Sequence, residues 1–143
     1  MTKIWLPDVN FWLALTFEPH KHHRSASSWM ADATAESCVF CRMTQQGFLR
    51  LATNRRAFGA DALTMADAWR CYDQTVTDFR VAYVDEPEDV EVIWRSLTAR
   101  QEYSPKVWND AFLAAFAQAA EFELVTFDRG LEQYRGVRCV VLS

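Results

Sequence analysis

Three aspartates occupy positions from which their carboxylates could act together. Asp8 follows the short apolar run 3–6, and Asp128 follows the apolar run 124–127. If both runs are parallel β-strands, both carboxylates lie at the edge of the sheet where functional groups of α/β proteins collect. Asp110 lies early in a helical segment rich in Ala and Phe, where an acid adds nothing to packing and is costly to bury unpaired.

Carboxylates that meet at one sheet edge repel each other unless a cation lies between them. Oxygen ligands without a nearby His and Cys set suit Mg²⁺ or Mn²⁺. Such an ion lowers the pKa of a bound water and neutralises charge on a phosphate, so the three acids indicate metal-assisted phosphoryl chemistry. A structural interpretation stays open, with Asp8 and Asp128 as helix N-caps and Asp110 as an acid favoured by the helix dipole.

The elements that must position these acids alternate between apolar runs and amphipathic stretches. The predicted strands are 3–6, 37–41, 79–84, 124–127 and 139–142. The predicted helices are 9–17, 23–33, 44–53, 61–76 with Asp61 as its cap, 87–100 and 107–120. This alternation predicts an α/β fold whose central parallel sheet of four to five strands is covered by helices on both faces.

Composition excludes several other kinds of protein. The 143 residues predict one domain over 1–143, and only 4 are Gly, none in a spacing that could cradle a nucleotide phosphate. No apolar stretch approaches the roughly 20 residues of a membrane span, so we expect a cytoplasmic protein without a membrane partner. Phe11 and Trp12 are adjacent on a predicted helix, and we expect one of them to face a partner.

Four segments together resemble a known family. Residues 6–15, 41–54, 109–117 and 126–130 resemble, in order and spacing, the PIN-domain ribonucleases, and among them the VapC-type toxins of type II toxin–antitoxin pairs. The resemblance covers nearly the whole chain and implies a PIN-like three-layer α/β/α fold. It also implies a Mg²⁺- or Mn²⁺-dependent endoribonuclease that hydrolyses RNA such as tRNA with a metal-activated water. Such a toxin is usually a homodimer and is silenced by a tightly bound, VapB-like antitoxin.

The resemblance assigns roles to individual residues. Asp8, Asp110 and Asp128 would be the catalytic acids and the metal ligands, and Asn10, Thr44 and Gln45 would bind or position water around them. Many members of the family carry a further glutamate in the helix after the second strand. This chain has Thr44, Gln45 and Gln46 there, which supply no negative charge and favour a one-metal site.

Charge is distributed unevenly along the chain. The net charge is −4, yet residues 19–60 hold six basic and two acidic residues, whereas residues 85–102 hold six acidic and two basic ones. We expect the basic segment to bind the RNA backbone, chiefly through Arg50, Arg55 and Arg56. An ordinary helix surface with ion pairs is the alternative interpretation of the same segment.

Two other functions fit the same residues. A metal-dependent phosphatase or DNA nuclease would use the acids on a similar sheet and would leave RNA intact. A non-catalytic binding module would use the aspartates only as helix caps and would bind neither Mg²⁺ nor Mn²⁺.

Overall fold

A computed structural model describes residues 3–143, which form one sheet and seven α-helices. The strands are β1 Trp5–Pro7, β2 Cys38–Phe40, β3 Val81–Tyr83, β4 Glu123–Thr126 and β5 Cys139–Val141. The helices are α1 Val9–Thr16, α2 His23–Met30, α3 Arg42–Ala52, α4 Arg55–Phe58, α5 Met65–Thr77, α6 Val90–Thr98 and α7 Val107–Ala120. Two 3₁₀ turns, Gly59–Asp61 and Arg129–Gln133, complete the described elements.

The sheet is parallel throughout and has the order β3-β2-β1-β4-β5. The chain builds outward from β1 through β2 to β3, and then returns to the other side of β1 for β4 and β5. This reversal places the carboxyl ends of β1 and β4 side by side, and in open α/β sheets such a point is where ligands bind. The predicted parallel sheet and its five strands are confirmed.

Helices cover both faces of the sheet because successive strand residues point to opposite sides. On one face Phe40, Val81 and Val125 belong to a buried cluster with side chains of α1, α2, α3 and α5. On the other face Leu6 and Leu124 belong to a second cluster with α6 and α7. The three-layer architecture predicted from the sequence is therefore confirmed.

Helix α1 is buried on nearly all sides, and the prediction that Phe11 or Trp12 faces a partner is wrong. Both side chains are fully buried. The ring of Phe11 packs edge-on against Trp29 of α2, and Trp12 stacks on Phe40 of β2 at 4.0 Å between ring centres. Neighbouring residues of α1 point in different directions, and each direction meets a different buried neighbour.

The segment between α3 and α5 differs from the prediction. Helix α5 begins at Met65, where the hydroxyl of Thr64 accepts a hydrogen bond from the backbone of Asp67. The predicted cap, Asp61, instead ends the 3₁₀ turn. The short helix α4 was not predicted, and its N-cap is Asn54.

No helix in the described range 3–143 combines the length and the hydropathy that crossing a lipid bilayer requires.

Helices α1 and α3 approach closely at Gly47, and this contact generates a prediction. A Cβ atom at Gly47 would lie 2.5 Å from Cγ2 of Val9, a stiff β-branched side chain. We expect Gly47→Ala to lower the free energy of unfolding by about 1 kcal/mol, because overpacking exceeds the gain in helix propensity. Gly136→Ala is the control, since its Cβ would meet the flexible end of Gln118. Urea unfolding measures both, and a more stable Gly47→Ala protein would contradict the prediction.

Candidate active site

The candidate site lies between the carboxyl ends of β1 and β4, where the strand order reverses. Asp8 follows β1 directly, and its backbone N–H donates to the carbonyl of Val125 at 2.9 Å. Asp128 comes two residues after the end of β4. The adjacent strands therefore deliver these two carboxyl groups to the same edge, as the sequence predicted.

Asp8 is a buried carboxyl group held on both of its oxygens. Oδ1 accepts from the backbone N–H of Phe11 at 3.0 Å, which caps α1, and Oδ2 accepts from the hydroxyl of Thr126. Burial raises the pKa of Asp8 from 3.8 to about 6, against the lowering effect of these two hydrogen bonds. The negative charges of Asp128 and Asp110 add to the rise. Asp8 is thus both the helix cap of the structural interpretation and part of an acidic cluster.

Thr126 links two of the acids through one hydroxyl group. Its Oγ1 donates to Asp8 and accepts from the backbone N–H of Asp128 at 2.9 Å. Oδ1 of Asp128 in turn accepts from the backbone N–H of Gly130 at 2.8 Å, capping the 3₁₀ turn. Thr126 is fully buried, so the connection between Asp8 and Asp128 is shielded from water.

Asp110 approaches the other acids from the first turn of α7. It is half-buried, and desolvation followed by the negative charge of Asp128 raises its pKa. A carboxylate in the first turn also complements the helix dipole. Asp8, Asp110 and Asp128 line the same cleft and are therefore neighbours in the folded chain.

A cleft of about 500 Å³ contains all three acids. Its other walls come from α1, α3 and α7. The lining residues are Asp8, Val9, Asn10, Met43, Gln46, Gly47, Arg50, Leu51, Asn109, Asp110, Leu113 and Asp128. Three acids and Arg50 of α3 line the same cleft, a combination suited to a phosphodiester bound through a cation.

The acids fit a hydrated ion better than a closed metal cage. Among residues 3–143 no group of three or more His, Cys, Asp or Glu side chains is close enough to hold a metal by itself. Mg²⁺, however, keeps several waters and is usually bound by one or two carboxylates. The donor set is oxygen only. Burial, and after it repulsion between the acids, raises the pKa of Asp8 and of Asp110, and a bound cation would relieve both effects.

Some of the other residues predicted for the site line the cleft, and some do not. Asn10 and Arg50 line the cleft. Thr44 and Gln45 do not: Thr44 is fully buried and bonds the backbone of Cys41, and Gln45 is buried and accepts from Arg42. Their predicted role in binding or positioning water around the acids stays a prediction.

Two residues of the site were missed or misplaced. Gln46, one residue after Gln45, is the α3 amide that faces the cleft. Thr126 was not predicted, although the Thr-x-Asp spacing at the end of β4 offers a signal for it. Arg55 and Arg56 are exposed on α4, outside the cleft lining.

Comparisons with known proteins agree with this fold. A family model described as PIN domain matches residues 5–137. Ribonuclease VapC41 of Mycobacterium tuberculosis is 43% identical over 143 residues, covering 96% of this chain and 98% of the relative. Ribonuclease VapC44 of the same species is 31% identical over 133 residues, covering 88% and 87%. The chain therefore belongs to the PIN-domain family and, within it, to the VapC ribonucleases.

Solved structures share the fold at low sequence identity. VapBC2 from Rickettsia felis, bound to a DNA fragment from its promoter, aligns with a TM-score of 0.69 at 10% identity, covering 98% of this chain and 99% of the other. Mycobacterium tuberculosis VapC20, a sarcin-ricin loop cleaving toxin, aligns with a TM-score of 0.66 at 18% identity, covering 94% and 98%.

The buried charge of Asp8 predicts a pH-dependent effect of Asp8→Asn on the metal-free protein. The pKa of Asp8 is about 6 in the folded protein and 3.8 in the unfolded chain, so the folded state binds the proton more tightly. The contribution of this proton to the free energy of unfolding is therefore complete below pH 3.8 and is lost as the pH rises through 6. This loss is about 3 kcal/mol above pH 6. An amide carries no charge and can still accept from Phe11, so we expect Asp8→Asn to be about 2 kcal/mol more stable at about pH 8.

Urea unfolding in the presence of a chelator measures this difference, which should shrink towards zero at about pH 4. Asp32→Asn is the matched control, because Asp32 is exposed and its replacement should leave the free energy of unfolding unchanged at both pH values. An Asp8→Asn protein that is less stable than wild type at about pH 8 would contradict the assignment of a destabilising buried charge.

Proposed function

We propose that the chain is a metal-dependent endoribonuclease, the toxin of a type II toxin–antitoxin pair, and that residues 1–143 act as one PIN-like domain. Membership in the VapC ribonucleases supports the reaction class. The observation that carries the proposal is that Asp8, Asp110 and Asp128 line one cleft at the strand-order reversal.

The acids, Thr126 and Asn10 have separate roles in this proposal. Asp8 and Asp110 would hold one Mg²⁺ or Mn²⁺, and Asp128 would add negative charge beside them. When bound, the ion would supply an activated water and neutralise charge at the phosphate. Thr126 fixes the orientation of the Asp8 carboxyl group, and the exposed amide of Asn10 lies at the cleft to contact RNA or water.

One metal ion is favoured over two because α3 adds no carboxylate to the cleft. The polar α3 residues that line the cleft are the neutral Gln46 and, one turn later, the cationic Arg50. Thr44 and Gln45 act only indirectly, by fixing the beginning of α3.

The basic segment supports binding of the RNA backbone. It contains Lys21, Arg24, Arg42, Arg50, Arg55 and Arg56. Within residues 3–143 none of these six has a carboxylate within ion-pair distance, whereas seven of the other nine basic residues do. Basic side chains without a carboxylate partner are available to bind phosphates. Their lack of ion pairs argues against the alternative interpretation of an ordinary helix surface with ion pairs.

A VapB-like antitoxin is the partner we propose, and a homodimer is the proposed assembly. The similar structure from Rickettsia felis is a VapBC complex. This chain exposes Met65, Trp69 and Trp108, large apolar side chains that are available for contact with a partner.

Removing either coupled acid should abolish RNA cleavage without unfolding the protein. We expect Asp8→Asn and Asp110→Asn to lower the rate at least about a hundredfold, because each loses a charged ligand needed to stabilise the reacting phosphate. Cleavage of total tRNA in Mg²⁺ or Mn²⁺ measures the rate, and circular dichroism confirms folding.

Asp32→Asn is again the control and should keep full activity. In a thermal melt, Mg²⁺ or Mn²⁺ should stabilise the wild type and leave Asp8→Asn unchanged. Full activity of either acid variant would overturn the assigned site. Activity on DNA or on small phosphate esters, with none on RNA, would instead indicate the phosphatase or DNA nuclease.

Arg55 and Arg56 should strengthen RNA binding without taking part in the reaction. We expect the double change Arg55→Gln and Arg56→Gln to raise KM for RNA several-fold, to leave kcat unchanged, and to lower the slope of log K against log salt by about 1.4 to 1.8, the value for two phosphate contacts. Arg70→Gln is the control, because Arg70 is exposed but paired with Asp67 at 3.0 Å. An unchanged salt slope in the double variant would contradict the prediction.

A further inference from the structure

We propose that Arg42 and Tyr83 form a phosphate-binding subsite for the RNA strand beyond the catalytic cleft, an inference that rests on the proposed ribonuclease function. Arg42 is the first residue of α3, and Tyr83 is the last residue of β3. The guanidinium carbon of Arg42 lies 5.2 Å from the centre of the Tyr83 ring. Its Nη1 also donates to Oε1 of Gln45.

The guanidinium of Arg42 is held in place although the residue is exposed. Its acceptor, Gln45, is buried, and Gln45 itself interacts with the buried Tyr72. An arginine side chain ordered before binding loses less rotamer freedom when a ligand arrives. The contacts with Gln45 and Tyr83 therefore prepare Arg42 for binding.

No internal anion satisfies this positioned charge. In the part of the chain that the structure describes, no carboxylate lies within ion-pair distance of Arg42, whereas the exposed Arg95 pairs with Glu91 at 2.8 Å. A planar guanidinium that is fixed on one side and open on the other presents its remaining N–H groups to an external anion. The backbone phosphate of RNA is the anion that the neighbouring cleft brings to this edge.

The subsite lies on the path that an RNA strand would take along α3. By helix geometry, Gln46 and Arg50 follow Arg42 by about 6 and 12 Å along the axis, and both line the cleft. Asp8 follows β1 and Tyr83 ends β3, and these strands are two positions apart in the sheet, a lateral separation of about 10 Å. A strand with one phosphate in the cleft can therefore place a neighbouring phosphate on Arg42.

RNA binding as a function of salt tests the subsite directly. The probe is a fluorescently labelled single-stranded RNA of about 20 nucleotides, and Asp110→Asn is the parent, so that binding is measured without cleavage. We expect Arg42→Gln to weaken binding about tenfold at low salt and to lower the slope of log K against log salt by about 0.7, the value for one phosphate contact on a single strand. Arg95→Gln should match the parent.

Variants of Tyr83 separate positioning from general stability. Tyr83→Leu removes the ring under the guanidinium and should weaken binding several-fold, whereas Tyr83→Phe keeps the ring and should bind as the parent does. Thermal melts of all variants show whether they fold. If Tyr83→Phe weakened RNA binding as much as Tyr83→Leu, the ring of Tyr83 would not be what positions the guanidinium group of Arg42.

The remaining outcomes distinguish the subsite from the proposed function. An unchanged affinity and slope for Arg42→Gln, with wild-type cleavage intact, overturns the subsite alone. Loss of affinity with an unchanged slope also overturns it, because no phosphate contact was removed. Weakened binding of the antitoxin with unchanged RNA binding overturns it and assigns Arg42 to the protein partner. A parent that binds no RNA, together with a wild type that cleaves none, overturns the subsite and the ribonuclease function together.

Discussion

The buried carboxyl group of Asp8 is the contact on which fold and site both depend. One of its oxygens begins α1 by accepting from Phe11, and the other accepts from Thr126 at the end of β4. Asp8 thereby joins the first strand to a strand more than a hundred residues later in the sequence. The same burial raises its pKa to about 6, so ionisation of Asp8 above that pH destabilises the folded protein in the absence of a cation.

Sheet topology explains why a buried acid lies at position 8. The reversal of strand order between β1 and β4 opens a crevice between the connections that leave the two strands. Residues that follow β1 and β4 must enter it, and α7 brings Asp110 to the same place. A cation in the cleft would relieve repulsion among all three acids at once, which couples metal binding to stability.

Most of the architecture and the three acids could be predicted from the sequence because they depend on local patterns. Short apolar runs define the strands, and an aspartate after a strand lies at the carboxyl edge whatever its neighbours are. Side chains on a helix are harder to assign, since one residue turns the side chain by about 100°. Gln45 and Gln46 differ by that angle: Gln45 is buried beside Tyr72, and Gln46 is the one that lines the cleft, which depends on how α3 packs. The cap of α5 likewise required knowledge of which polar residue, Asp61 or Thr64, meets the free N–H groups.

Counting charges along the sequence located a basic segment, but it could not show which charges are already neutralised. In the described residues every cation of segment 19–60 lacks a carboxylate partner, while Arg70, Arg80, Arg95 and Arg100 of the later chain are paired. Exposed pairs of this kind contribute little stability, yet they remove the charge from long-range recognition. The net charge of −4 therefore misrepresents the field that a polyanion meets at the carboxyl edge of the sheet. Around α3 that field comes from arginines that the protein leaves uncompensated, and the acids of the cleft can face a phosphodiester only through a cation.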